Sequence, residues 1–231
     1  VGLDGCLLDC DAARAAFHDA AAAADIALVE GCGGLFDGPA AACEGGVAGS
    51  ECERGSTAHV AACLRAPLVL VVDAQAFSTP RAIAALVRGH AAGEGGCSVA
   101  GVILNRAPRP GLAADTQEAL SCASLGVAVL GAVPTLADLE QLRAGGSGAA
   151  GVWPAAAATC SISLQGWMSC SKQQQLLAQH VAQHVDLQRL RQLARSAAVP
   201  QPQAPLPPPA RTYRVSMAVA HDAAFYRYFQ Q

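Results

Sequence analysis

The chain has 231 residues, is 52% apolar but only 4% aromatic, and carries a formal net charge of −3. That length supports one good core with an appendage, while the mild acidity leaves no electrostatic footprint for nucleic acid or an anionic membrane. No apolar run approaches the roughly 20 residues needed to span a bilayer, and residues 1–30 show no basic, apolar and cleavage-site pattern of a leader.

In chain order, Leu3 to Ala24 reads as a loop followed by an alanine-rich helix, and Ile26–Val29 as a short strand. A loop of glycines and acids runs to about Arg54, after which Ser56 or Thr57 caps a helix ending near Leu64. Leu68–Val72 is an unbroken apolar strand, a pattern expected of burial on both faces, and Asp73 closes it. Ser78 or Thr79, with Pro80 at the first helical position, opens a helix to about His90. Val99–Leu104 is the next buried strand, ending in Asn105 and Arg106; a helix over Asp115–Ser121 and a strand over Val127–Leu130 follow. Alternation of this kind predicts an α/β fold, a parallel sheet with helices on both faces. Ala144–Gly151 reads as a flexible insertion, Gln173 to Ala197 as one long helix, and Pro200–Pro209 as a stiff linker before a strand over Arg214–Ala220.

The most informative segment is Glu30-Gly-Cys-Gly-Gly-Leu-Phe-Asp-Gly38. An acid at the carboxyl end of a buried strand sits where open α/β sheets bind ligands. Glycines beside it let backbone approach a ligand with no Cβ in the way, and two carboxylates can hold Mg²⁺ against phosphate oxygens. The alternative is a strand followed by a plain polar turn. Ser56 and Thr57 at a helix N-terminus can bind an anion or simply cap the helix. Asp4, at a loop start, is either a further acid of the cleft or the acceptor of an Asx turn.

Ten cysteines raise the question of metal or disulfide. No Cys-x-x-Cys occurs, and Cys6 and Cys10 lie one helical turn apart, so the cysteines are expected to be small buried thiols. Cys32 lies within the acid loop without an identifiable base. His180 and His184, at i and i+4, can share a metal, but with glutamines around them they read as a solvated helix face.

The Glu30–Gly38 segment resembles the "EGxMGLxDG" stretch of the cobyrinic acid a,c-diamide synthases, in the dethiobiotin-synthetase-like branch of P-loop proteins. Other segments match in the same order. Val1-Gly-Leu-Asp-Gly-Cys-Leu-Leu8 is similar to "NLDxxLL", Gly55-Ser-Thr-Ala-His-Val-Ala61 with Ala66–Asp73 to "GSTAxxA…aPvvLVvDa", and Gly101-Val-Ile-Leu-Asn-Arg106 to "GvilNrv". Gly126–Pro134, Val185–Leu190 and Val219–Phe225 resemble "gvpvlGxlP", "vDldxLl" and "iArDxAFxFyY". The matches cover most of positions 1–142 and 176–229.

The resemblance implies an ATP- and glutamine-dependent amidation of the a and c carboxylates of a corrinoid, through an acyl phosphate, in cobalamin biosynthesis. It assigns Glu30 to Mg²⁺ and, with Asp37, to the active site; Asn105 to the adenine edge; and Ser56, Thr57 and Asp4 to the nucleotide or substrate. ATP and Mg²⁺ are the implied cofactors, and corrinoid and glutamine the implied partners, with neither nucleic acid nor membrane; a homodimer is compatible. Another tetrapyrrole, such as a nickel-sirohydrochlorin, is the alternative substrate, and a non-catalytic scaffold the alternative of another class. The 231 residues contain no Gly-x-x-x-x-Gly-Lys-Ser/Thr and no "lPeRHLGL".

The expected organisation is therefore a P-loop NTPase-like domain, incomplete at its N-terminus, over 1–142. A low-complexity insertion over 143–172, a closing helix over 173–198, a proline-rich linker over 199–211 and the start of a glutaminase-like domain over 212–231 follow. Such a chain is expected to be inactive alone, and to be cytoplasmic, or organellar if a transit peptide precedes it.

Overall fold

The computed structural model describes residues 2–38, 55–77, 79–92, 98–136 and 171–202. Residues 143–170 of the expected insertion (143–172), most of the linker and the strand over Arg214–Ala220 lie outside the described residues.

Helix α1 (Cys10–Ala21) is capped by Asp9, whose carboxylate accepts the Ala12 N–H at 2.7 Å. Helix α2 (Thr57–Leu64) follows, with Ser56 as its N-cap. Strand β1 (Pro67–Asp73), helix α3 (Pro80–Ala91), strand β2 (Ser98–Asn105), helix α4 (Leu112–Cys122) and strand β3 (Ala128–Val133) then alternate. The expected Thr79 cap with Pro80 inside the first turn is found: the Thr79 hydroxyl accepts from Ala82 N–H. The three strands are parallel in the order β1-β2-β3, and Asp73, Asn105 and Val133 align across the carboxyl edge.

Helix α3 packs on α4, and both cover the sheet. The core between them is Val72, Ile83, Val87, Val102, Leu104, Leu112 and Leu120, most of them sealed from solvent. The parallel α/β architecture read from the alternation is thus present. Two of its details are not. Ile26–Val29 is no strand: its backbone makes no hydrogen bond to another segment among the described residues, and Leu28 is 94% exposed. An extended segment becomes a strand only when a neighbour completes its ladder. Correspondingly β1 is an edge strand among the described residues, and Val71, expected to be buried, is 66% exposed.

The single helix expected over Gln173–Ala197 is two, α5 (Ser171–His184) and α6 (Leu187–Ser196). Val185 leaves the helix to form an antiparallel bridge with Gly131, and the Asp186 N–H donates to the Leu130 carbonyl at 2.7 Å. The Asp186 side chain caps α6 through Arg189 N–H. Docking to β3 outweighs helix continuity here because it satisfies the Leu130 carbonyl and buries Val185. His180 and His184 are accordingly half-buried rather than on a solvated face. His180 Nε2 lies 2.9 Å from the Pro134 carbonyl and the two rings are 4.6 Å apart.

The cysteine expectation is corrected as well. Cys10 and Cys63 form a disulfide with Cα atoms 5.1 Å apart, joining α1 to α2. Their sequence separation of 53 residues hid the pair from any spacing rule. Cys32 and Cys122 are exposed thiols.

Candidate nucleotide and acid site

The first part of the site is built on the start of α2. Ser56 is fully buried, and its hydroxyl accepts the His59 N–H at 3.1 Å. Of its two possible roles, the helix cap is the one the geometry displays. A second amide of the first turn, Ala58 N–H, donates to the Leu35 carbonyl at 2.9 Å. The acid loop therefore satisfies a donor that an unoccupied helix end leaves open.

The loop is pressed onto the helix at Gly31. A Cβ there would lie 2.6 Å from Thr57 Cγ2, so only glycine permits the approach. Thr57 Oγ1 in turn donates to the Cys32 carbonyl at 3.4 Å. Within the loop, the Gly34 N–H donates to Asp37 Oδ2 at 2.7 Å, and a Cβ on Gly34 would fall 2.6 Å from that oxygen. Asp37 is thereby oriented by backbone, with its second oxygen left for another partner. Glu30 is exposed and its carboxylate has no hydrogen bond among the described residues.

The N-terminal segment lies against the same helix start. A Cβ on Gly5 would be 3.0 Å from His59 Nδ1 and 3.1 Å from Gly55 Cα. Asp4 next to it makes an Asx turn, Oδ1 accepting from Cys6 N–H at 2.8 Å and from Leu7 N–H at 3.3 Å. Asp4, the Glu30–Asp37 loop, Ser56 and Thr57 are thus grouped around one helix end.

The second part is the carboxyl edge of the sheet. Asn105 pairs in register with Asp73, and its Oδ1 accepts the Arg106 N–H at 3.0 Å. Its amide NH₂ has no hydrogen bond among the described residues and can donate to a ligand. Arg106 adopts a left-handed conformation, φ 55°, uncommon for a residue with a Cβ. Its guanidinium makes a two-pronged ion pair with Asp73, with Nε 3.0 Å from Oδ1. Hydrogen bonding to Arg106 holds the Asp73 carboxyl below its ordinary value, against a smaller opposing effect of burial. Asp73 and Arg106 were not among the residues singled out for the site. Their signal was available, since Asp73 closes β1 and Arg106 directly follows β2.

The two parts are not joined. No hydrogen bond or ion pair links Asn105 to the acid loop among the described residues. The Phe36 ring instead stacks on His90, 5.9 Å away, in the last turn of α3. That turn lies at the end of α3 that leads into β2. With Ile26–Val29 outside the ladder, α2 and His90 decide where the loop rests.

A parallel β-α-β-α-β sheet with acidic and amide side chains at its carboxyl edge is the ligand-binding layout of α/β nucleotide proteins. The chain belongs to the AAA domain family, whose model matches residues 8–143. It is similar to curated hydrogenobyrinate a,c-diamide synthases. That of Mycobacterium bovis is 47% identical over 121 residues, 52% of this chain and 24% of the relative. That of Streptomyces coelicolor is 43% identical over 127 residues, 54% of this chain and 23% of the relative. A cobyrinate a,c-diamide synthase of Listeria monocytogenes is 31% identical over 241 residues, covering 100% of this chain and 46% of the relative. The chain therefore spans less than half the length of these relatives. No solved structure matches it significantly. Among the described residues, no helix is long and apolar enough to cross a membrane.

Proposed function

We propose that the chain is part of an ATP-dependent amide ligase that converts the a and c carboxylates of a corrinoid to amides. The observation that carries this reading is the glycine-acid loop, Glu30 to Asp37, seated on α2 within the region matched by the family model. The relatives named as a,c-diamide synthases supply the substrate class.

In the proposed reaction a substrate carboxylate oxygen attacks the γ-phosphorus of ATP, ADP leaves, and ammonia from glutamine displaces phosphate from the acyl phosphate. The donor set suits Mg²⁺, a hard ion that takes one or two carboxylates and keeps several waters. Glu30, with both oxygens open, would hold it, and Asp37 would assist through the oxygen that Gly34 leaves open. Bound there, such an ion would supply neutralising charge for the phosphate oxygens. Asp37 positions the carboxylate under attack, because its own orientation is fixed by the Gly34 amide. Ser56 holds the helix start that carries Thr57. Thr57 and Asp4 face the same region, and Thr57 can bind an anion by giving up the Cys32 carbonyl. The free NH₂ of Asn105 is a donor for an adenine ring nitrogen.

Residues 1–142 then act as the nucleotide domain, 143–172 as an insertion, 173–198 as the closing helices, 199–211 as a linker and 212–231 as the lead into a glutamine-hydrolysing domain. The test uses a polypeptide carrying this chain together with a phosphate-binding loop and such a domain. Supplied with Mg-ATP, glutamine and a corrinoid acid, it is expected to yield mono- and diamide products by mass spectrometry. ATP hydrolysis that no corrinoid stimulates would refute the substrate assignment.

A further inference from the structure

Apart from the proposed ligase site, Cys10, Cys63 and His59 bring their ligand atoms within 4.8 Å of one another. We propose that Cys10–Cys63 is a thiol–disulfide exchange site, with Cys10 the attacked sulfur, Cys63 the leaving sulfur, and His59 the donor that stabilises the departing thiolate.

The direction follows from burial and hydrogen bonding. Cys63 is 4% exposed in the last turn of α2, whereas Cys10 is partly open at the first turn of α1. An incoming thiolate reaches Cys10 first. The Gly55 N–H, which can only donate, lies 3.3 Å from His59 Nδ1, so Nδ1 accepts and the neutral ring carries its proton on Nε2. That Nε2 is 3.6 Å from Cys63 Sγ. Gly5 closes on the ring from the other side, which fixes this orientation. A donor aimed at one sulfur of a pair makes it the better leaving group, and exchange is faster for the better leaving group.

The step balances with a small thiol or a protein dithiol as reductant. Its thiolate bonds to Cys10 Sγ, the Sγ–Sγ bond breaks, and the electron pair goes to Cys63, whose thiolate takes the Nε2–H hydrogen bond. A second reductant thiol then displaces Cys10, giving the reductant's disulfide and two protein thiols, two electrons transferred in all. Reduction leaves α1 tied to α2 by the Arg14 Nε–H to Cys63 carbonyl bond at 2.8 Å.

The same three groups also form a candidate soft-metal triad. The Gly55 amide counts against it, because a histidine binding metal through Nε2 carries its proton on Nδ1 and donates it onward.

The test exposes the purified full chain to glutathione redox buffers, quenches, and maps thiols by peptide mass spectrometry. The expected result is reversible opening in the folded chain, with glutathione appearing on Cys10. Cys63→Ser should accumulate the Cys10 mixed disulfide, and Cys10→Ser should modify Cys63 about tenfold more slowly. His59→Leu should slow opening about fivefold or more without altering which sulfur is modified. A disulfide untouched until the chain unfolds would overturn the proposal, as would glutathione on Cys63 first. Two thiols that never pair in oxidised buffer, or one Zn²⁺ bound by the reduced chain through Cys10, Cys63 and His59, would overturn it equally.

Discussion

Gly131 in β3 is the position where the structure leaves least room. A Cβ there would lie 2.1 Å from the His184 carbonyl oxygen and 2.8 Å from Val185 Cα. Both obstacles are backbone, so no rotamer change relieves them, and Gly131→Ala must push the α5–α6 junction off the sheet. What is lost can be added up from the structure. Val185, 6% exposed, returns to water, which costs about 1.5–3 kcal/mol for a side chain of its size. The hydrogen bond from Asp186 N–H to the Leu130 carbonyl is broken, a further ~1 kcal/mol. The total is about 2.5–4 kcal/mol. Chemical denaturation followed by circular dichroism would measure it, with hydrogen exchange at the Asp186 amide reporting the junction directly. Gly126→Ala is the control, since a Cβ there meets nothing within 4 Å and should change stability little. Equal destabilisation by the two variants, or a Gly131→Ala chain whose Asp186 amide stays protected, would refute the reasoning.

Gly31→Ala should lift the acid loop from α2 and speed exchange of the Ala58 amide, held by the Leu35 carbonyl, about fivefold; adding Thr57→Ser removes the obstructing methyl and should restore much of the protection. Asp73 has a lowered carboxyl pKa in the folded chain, so its contribution is present above the unfolded value near 3.8 and is lost as pH falls through the lower folded value. Wild type should therefore exceed Asp73→Asn in stability near neutral pH, by no more than about 1 kcal/mol because the pair is exposed, and the difference should vanish in strong acid. In a longer polypeptide that shows the proposed ligase activity, Glu30→Gln should remove nearly all amidation while Asp37→Asn keeps more, with neither shifting the melting temperature appreciably; a Glu30→Gln protein that melts early yet retains full specific activity would make Glu30 structural. The 231-residue chain alone should neither hydrolyse Mg-ATP nor amidate a corrinoid, for want of a Gly-x-x-x-x-Gly-Lys-Ser/Thr loop, and turnover above a heat-killed control would contradict this.

Local chemistry made much of this protein legible in its sequence. The apolar runs at 68–72 and 99–104 announce parallel strands, though only the second is largely buried, and Thr79-Pro80 announces a helix start, because period, capping and turn chemistry act over a few residues. The order of short motifs pointed to the family that the comparisons then supported. What the sequence could not decide depended on partners distant in the chain. Ile26–Val29 has the composition of a strand but no ladder to join among the described residues, and the loop after it meets α2 at Gly31 and Thr57, with Phe36 stacked on His90. Val185 has a helical pattern around it, yet the carbonyls of β3 draw it out of the helix. Cys10 and Cys63 pair because two helices pack, a fact no spacing rule over 53 residues contains. Propensity and pattern are properties of short segments. Ladder partners, docking sites and thiol pairs are properties of the packed chain, and only its tertiary structure decides them.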